Sequence, residues 1–243
     1  MKTPVNPQRN EIKPRDLLLL VVLLILTPWP IWVLSQPVSE SLIGVTSLSE
    51  WELVRSDDQI DLYIRVIKME GYPEGRQLGI TFRMRGDVST AIELISNSQL
   101  ASRWMSSIKS FQILKNKGDA CWYSYMLYDI PWPLRKQDLI AVNRLHTEPD
   151  GSRASIEMRS EADFLPENKG ITRIQHMVGT WHFTQEPGNQ VAVSYTIYSG
   201  QKSSFPRWIT DPIIQGNMIR TMGNFRKLGE EQFYSKKSIT RNN

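Results

Sequence analysis

Three histidines, His146, His176 and His182, one cysteine, Cys121, and the aromatic run from Trp122 to Tyr128 carry most of the chemical potential of this 243-residue chain. A metal centre needs imidazole and thiolate ligands at tight spacing, and these histidines fall on predicted strands without it, so no metal is expected. No glycine-rich phosphate loop, Gly-x-Ser-x-Gly elbow or zinc-protease helix motif occurs, and no cofactor is expected either. What remains is non-covalent chemistry. Strand alternation puts Trp122, Ser124, Met126 and Tyr128 on one face, and Cys121, Tyr123, Tyr125 and Leu127 on the other. Ile214, Met218, Met222 and Phe225 stand four, four and three residues apart, which lines one face of a helix. Methionine is flexible and polarizable, and such a face suits an apolar pocket of adaptable shape. The same residues would equally serve to fill a core.

The elements that position these groups are mostly strands. Trp51–Ser56 and Ile60–Ile67 alternate around Ser56-Asp57-Asp58 and predict a hairpin, and Gln77–Arg85 follows the Gly71/Pro73/Gly75 turn. Val88, Ala91, Ile92 and Ile95 predict a short helix with Asp87 or Ser89 as its cap. Six strands are then predicted, Ser107–Leu114, Ala120–Tyr128, Asp138–His146, Ser152–Ser160, Ile171–Phe183 and Gln190–Tyr198, in an antiparallel meander. Pro131 and Pro133 break the ladder between the second and third of these. Pro166 and Gly170 make Glu161–Gly170 a loop, expected across the open end of whatever the sheet encloses. Pro206–Phe233 is a long amphipathic helix, and Gly216 and Gly223 would let it sit close to the sheet. A twisted sheet wrapped on one helix leaves a void wherever the facing side chains fail to meet, and apolar voids take apolar guests.

The corner at Pro131, Trp132, Pro133, Leu134 and Asp138 resembles the Pro-aromatic-Pro signature of START lipid-transfer domains, with Gln137 in place of its arginine. The resemblance runs in register from Trp51 through Trp104 to Phe164–His176 and Phe205–Ile213. It implies an α+β helix-grip fold, a curved antiparallel sheet wrapped around the long C-terminal helix, with Trp104 packing the helical region onto the sheet. It also implies a mobile Glu161–Gly170 loop over the pocket mouth. The face carrying Ser124 is then the inward one, joined by Ala141 and Asn143 on the next strand and Met158 beyond. The expected ligand contacts are Trp122, Ser124, Met126, Tyr128, Ala141, Asn143, Met158, Met218, Met222 and Phe225. In the sterol-binding branch a carboxylate and an arginine occupy the positions of Ser124 and Asn143; here both are neutral. An aromatic cage for a choline head group, as in the phosphatidylcholine-binding branch, would draw on Trp122, Tyr123, Tyr125 and Tyr128, which alternation divides between two faces. An aromatase/cyclase-like enzyme on the same fold would require Glu157, Arg173, His176 or Tyr128 to converge inside; Arg173 and Asp138 are expected instead to form a structural ion pair. A third reading is an envelope protein-interaction module.

The resemblance implies a lipid or other hydrophobic small molecule as partner, at a membrane, and a monomeric protein is expected. The formal charge is only +4, half of it within residues 1–16, and basic residues form no stripe, so nucleic acid is not an expected partner. Residues 17–34 carry no charge and follow Arg9, Lys13 and Arg15. As a helix they would span about 27 Å against a hydrocarbon core of ~30 Å, and Pro28 and Pro30 weaken the second half. Residues 17–35 are therefore read as a signal anchor, with 1–16 as a cytoplasmic basic segment, or as a signal peptide cleaved after Ser35. Either reading exports the domain at 49–234, behind a linker at 36–48 and ahead of a basic tail at 235–243. The single Cys121 leaves no internal disulfide to be made.

Overall fold

The computed structural model describes residues 45–118, 120–129, 136–200 and 205–241, with residues 239–241 as backbone only. The Pro-Trp-Pro corner and the apolar segment at 17–35 lie outside these residues. Among the described residues no helix is long and apolar enough to cross a membrane.

Alternating side chains build most of the sheet. Its strands are β1 (Val45–Ser47), β2 (Glu52–Asp57), β3 (Ile60–Met69), β4 (Gly75–Arg85), β5 (Ile108–Asn116), β6 (Cys121–Tyr128), β7 (Gln137–Thr147), β8 (Arg153–Ser160), β9 (Thr172–Arg173), β10 (Met177–Glu186) and β11 (Gln190–Ser199). The spatial order is β1-β3-β4-β11-β10-β8-β7-β6-β5, with β2 beside β3 and β9 beside β7. The meander expected from β5 onward is present, and its last strand returns to pair with β4 along its whole length. Two short strands were not expected. Val45–Ser47, inside the expected linker, pairs with Ile67–Met69 and continues the edge that β2 covers further along β3. Ile171–Phe183 is not one strand: Thr172–Arg173 runs parallel to Gln137–Asp138, and the chain leaves the ladder before Met177 begins β10.

Among the described residues three α-helices complete the domain. Helix α1 (Val88–Ser96) is capped by the Asp87 carboxylate, which accepts from the Thr90 amide at 2.7 Å. Helix α2 (Ser98–Trp104), which periodicity did not reveal, is capped by Asn97, whose side chain accepts from the Gln99 and Leu100 amides. Helix α3 (Arg207–Arg241) is longer than expected and runs past residue 234. It packs on β3, β4, α1 and α2. The glycine that brings it close is neither Gly216 nor Gly223, whose added Cβ atoms would make ordinary contacts. It is Gly229, where a Cβ would stand 2.5 Å from Met84 Cε and 3.2 Å from Leu94 Cδ1.

One end of the sheet's interior is filled by aromatics. Trp104 donates its indole N–H to the Leu94 carbonyl at 2.8 Å and sets its ring edge against Trp181 and Phe225. Trp181 stacks on Tyr195 at 4.1 Å and on Phe225 at 5.2 Å. Trp104 thus packs the helical region onto the sheet, as the resemblance implies. Polar straps hold the middle of α3 to the α2–β5 turn. Ser107 Oγ donates to Asn217 Oδ1, the Ser106 amide to Thr221 Oγ1, and Asn224 Nδ2 to the Trp104 carbonyl.

The Glu161–Gly170 loop is not over the interior. Register pairs Leu127 with Asp138 and Tyr125 with Ile140, which puts these four on the face opposite Trp122, Ser124 and Met126. The loop covers that outer face. Arg173 Nε and Nη2 donate to the two Asp138 carboxylate oxygens at 2.7 and 3.1 Å, both side chains being almost wholly buried. The same guanidinium donates to the carbonyls of Ala162, Leu165 and Pro166 and so ties the loop down. Phe164 stacks on Tyr123 at 4.3 Å, and Asn168 Nδ2 donates to Asp138 and to the Tyr125 hydroxyl. The buried guanidinium needs a counter-charge and several acceptors, and the loop supplies the acceptors. The expected structural ion pair is therefore present, and it fixes the loop in place.

Burial pushes the Asp138 carboxyl up, but hydrogen bonds from Arg173, Asn168 and Tyr125, with the Arg173 charge, hold it below the usual carboxylate value. Its contribution to stability is complete above the ordinary value of ~3.9 and is lost as pH falls through the lower folded-state value. Asp138→Asn strands the Arg173 charge, and urea unfolding at pH 7 should show a loss of about 3 kcal/mol. The variant should also lose stability less steeply than the parent below pH 4. A loss under ~1 kcal/mol would show that the pair does not anchor this face.

Candidate functional site

Between the first half of α3 and the concave face of the sheet lies a cavity of about 680 Å³. Strand alternation and helical period both aim residues into it. From β6 come Trp122, Ser124, Met126 and Tyr128, from β7 Leu139 and Asn143, from β8 Met158, and from α3 Ile214, Met218 and Thr221. Trp104, Trp181 and Tyr195 close its floor. Seven of the ten residues named from sequence thus line the cavity: Trp122, Ser124, Met126, Tyr128, Asn143, Met158 and Met218. The other three do not. Ala141 faces inward but is wholly buried, and Met222 and Phe225 lie one turn or more beyond Met218, where α3 has met the aromatic floor.

The interior holds little charge. Glu74, Arg76, Arg207 and Asp211 are the charged residues among the described lining, and they come from the β3–β4 connection, the start of β4 and the first turns of α3. Arg76 grips Asp211 through two hydrogen bonds, at 2.8 and 2.6 Å, which fasten the beginning of α3 to β4. The Arg76 hydrogen bonds and charge hold the Asp211 carboxyl below the ordinary value. Pro212 lies inside α3 and has no N–H for the Trp208 carbonyl, so the first turn is coupled to the rest of the helix less tightly than its length suggests.

The polar groups deeper in are neutral. Asn143 Nδ2 donates to Ser124 Oγ at 2.9 Å and lies 3.2 and 3.3 Å from the Trp122 and Ala141 carbonyls. Burial pushes the Tyr128 hydroxyl up to about 12 and raises that of Tyr195 further, so both stay protonated at neutral pH. Among the described residues Tyr128 has only the Met126 sulfur, 3.4 Å away, as its hydrogen-bond partner.

The alternatives do not assemble around this space. Of Glu157, Arg173, His176 and Tyr128, only Tyr128 lines the cavity. Arg173 is committed to Asp138 on the outer face, and Glu157 pairs across strands with Arg144 and Thr180. An aromatic cage from Trp122, Tyr123, Tyr125 and Tyr128 is not formed either, because Tyr123 stacks on Phe164 and Tyr125 donates to Asp138 on that same outer face. His146 is exposed, His176 sets its ring against Tyr72, and burial lowers the value of His182 on the outer face. Among the described residues no group of three or more His, Cys, Asp or Glu side chains could hold a metal ion.

Sequence reasoning missed the Trp181–Tyr195 floor of the cavity and the Arg76–Asp211 pair in its lining. Trp181 and Tyr195 belong to strands whose alternation is plain, but their opposition across a register pair is not visible in either strand alone. Arg76 and Asp211 are 135 positions apart and carry no local signal.

No protein-family model matches the chain. An uncharacterized protein of Pseudomonas aeruginosa is 22% identical over 189 residues, 78% of this chain and 91% of that protein. Among solved structures, a STAR-related lipid transfer protein (fragment 25–204) from Xanthomonas axonopodis superposes with a TM-score of 0.64 at 22% identity, over 74% of this chain and 99% of that one. Human StAR-related lipid transfer protein 5 gives 0.64 at 15% identity, over 77% and 89% of the two chains. Human STARD10 gives 0.62 at 15% identity, over 81% and 80%. The curved antiparallel sheet closed on its C-terminal helix is the START-like helix-grip fold.

Proposed function

We propose that this domain binds a lipid or similar hydrophobic molecule without catalysis, in the cavity between α3 and the sheet. The observation that carries the reading is a cavity of about 680 Å³, lined mainly by methionine, aromatic and aliphatic side chains and bare of charge away from its mouth. That volume falls within the ~300–1,000 Å³ of small-molecule sites, and apolar burial at about 25 cal/mol per Å² supplies the driving force. The titratable residues named for a cyclase do not converge there. Trp122, Ser124, Met126, Tyr128, Asn143, Met158 and Met218 are the proposed ligand contacts.

Entry and exit are proposed at the start of α3. The Arg76–Asp211 pair is the latch, the Pro212 discontinuity is the hinge, and the polar straps at Asn217, Thr221 and Asn224 keep the remainder of the helix seated. Trp208, 77% exposed beside this mouth, and the partly exposed Phe205 suit contact with a bilayer interface. Residues 17–35 are proposed as the anchor, or as a signal peptide, that places the domain on the exported side of a membrane. Nine residues, Gln36 to Gly44, separate that segment from β1, a reach of about 35 Å at most. An anchored domain on so short a tether favours local extraction or sensing over long-range transfer.

Full-length protein extracted from its membrane and analysed by native mass spectrometry should carry a stoichiometric hydrophobic ligand. Met218→Asp should lose most of it while the sheet keeps its far-ultraviolet circular dichroism. An empty parent protein that also fails to take up fluorescent lipids would overturn the reading. Met222→Asp is no test of the pocket, because Met222 is in the packed core and its charge would unfold the helix contact.

If the latch governs exchange, Asp211→Asn should release a bound fluorescent fatty acid several-fold faster than the parent in stopped flow. Its equilibrium occupancy should change less than the rate does. An unchanged off-rate would place the exit elsewhere.

A further inference from the structure

Tyr195 lines the cavity with its ring stacked on Trp181, and the position of its hydroxyl is set by a missing side chain. Gly179 stands on β10 between Met177 and Trp181, both of which line the cavity, so alternation puts it on the same inner face. A Cβ on Gly179 would lie 3.5 Å from the Tyr195 hydroxyl oxygen and 3.4 Å from its Cε2. The hydroxyl is therefore over Gly179, on the inner face. Register frames the spot with two further lining residues, Met158 on β8 and Ile197 on β11, each opposite Gly179. A glycine within a strand commonly marks a place where another group must approach the backbone closely, and a side chain here would fill the space in front of the hydroxyl.

The oxygen is also reachable. Among the described residues the Tyr195 hydroxyl makes no hydrogen bond, yet it is not one of the five buried polar atoms closed off without a partner. It keeps open space before it, and the open space at this position is the cavity. A second phenol shares the interior. Tyr128 on β6 lines the cavity with only the Met126 sulfur as its partner, and it is near enough to push the Tyr195 hydroxyl further up. Three strands, β7, β8 and β10, separate β6 from β11 in the sheet, so the two side chains approach one another through the interior. Both are neutral donors. Arg76, the charged lining residue on the neighbouring β4, pairs with Ser199, four residues along β11 from Tyr195, and its guanidinium is held by Asp211.

From this we infer that Tyr195 is a specificity-determining residue, and that the ligand's inserted end is an uncharged oxygen group, a ketone, ester or hydroxyl, lodged over Gly179 and accepting the Tyr195 O–H. An ionised carboxylate or phosphate there would lose its hydration with no cation beside it in compensation. A plain hydrocarbon end would leave the phenol unmet. The inference rests on the cavity being a site for hydrophobic molecules and narrows the class it takes. The apolar lining selects the body of the ligand, and the phenol selects its leading end.

The test compares 2-tridecanone, labelled with ¹³C at its carbonyl, with n-tridecane on the full chain kept soluble in amphipol, each competing against a fluorescent fatty acid. Tyr195→Phe deletes the oxygen and keeps the ring that stacks on Trp181. The ketone should bind the parent about fivefold more tightly than it binds Tyr195→Phe, and the alkane should bind both alike. In the infrared, the labelled carbonyl bound to the parent should absorb at lower frequency than it does in hexane, and the shift should be lost in the variant. The parent's band stands as a readout even if the variant folds poorly. Equal affinity of the ketone for both proteins, or a parent-bound band at the hexane frequency, would overturn the inference and leave the hydrophobic-site reading intact. Failure of both probes to bind the parent would overturn the two together.

Discussion

Phe225 wedges its ring between Trp104 and Trp181, and this contact decides where the domain is solid and where it is hollow. A sheet curved around a helix can be filled only where the two approach closely enough for side chains to interdigitate. Beyond Met222 they do, helped by Gly229 against Met84 and Leu94. Before Met218 they do not, and the space that remains is the cavity. Cavity and core are thus two halves of one interface. The aromatic floor has to be rigid, because a soft floor would collapse into the void at little cost; edge-on and stacked rings locked by the Trp104–Leu94 hydrogen bond supply that rigidity.

Charge is distributed to match. The buried ion pair, Asp138 with Arg173, is on the outer face of β7, one residue from Leu139, which lines the cavity. Alternation keeps the carboxylate and the guanidinium out of the interior although both are almost inaccessible to solvent. The outer face of β7 bears the desolvation and satisfies it with loop carbonyls; the inner faces of β6 and β7 are left to neutral groups. That division lets a domain with many charged residues enclose an interior without charge clusters. It also accounts for neutral Ser124 and Asn143 satisfying one another rather than facing each other as opposite charges.

Much of this was legible locally. The two-residue period of β6 sorted Trp122, Ser124, Met126 and Tyr128 from Tyr123 and Tyr125, and register with β7 bears the division out. The helical period likewise placed Met218, Met222 and Phe225 on one face. It did not reveal that the cavity stops between Met218 and Met222, because position along a helix relative to a floor is set by another part of the chain. The loop at Glu161–Gly170 was legible as a loop and misplaced as a lid. Its position depends on Arg173, whose partner Asp138 is 35 residues away and whose side of the sheet follows only from register. Short elements escaped for a different reason. Three residues at Val45–Ser47 and two at Thr172–Arg173 cannot display a period. Helix α2 offered a cap at Asn97 but only seven residues of pattern after it.

The arrangement of α3 would let one helix serve as core and, in the proposed opening, as lid. A rigid helix of this length, held along its whole course, would move only as a unit, and moving it would expose the aromatic floor and its apolar partners. Pro212 separates the two roles, since the backbone hydrogen bond it deletes is in the second turn, ahead of the straps at Asn217 and Thr221. In the proposed opening, motion confined to Arg207–Asp211 would break the two Arg76–Asp211 hydrogen bonds without incurring the cost of disturbing Phe225. The large apolar burial that stabilises the fold and the small polar contact proposed as the latch are on different segments of the same helix, so an opening equilibrium there could be shallow without making the fold marginal.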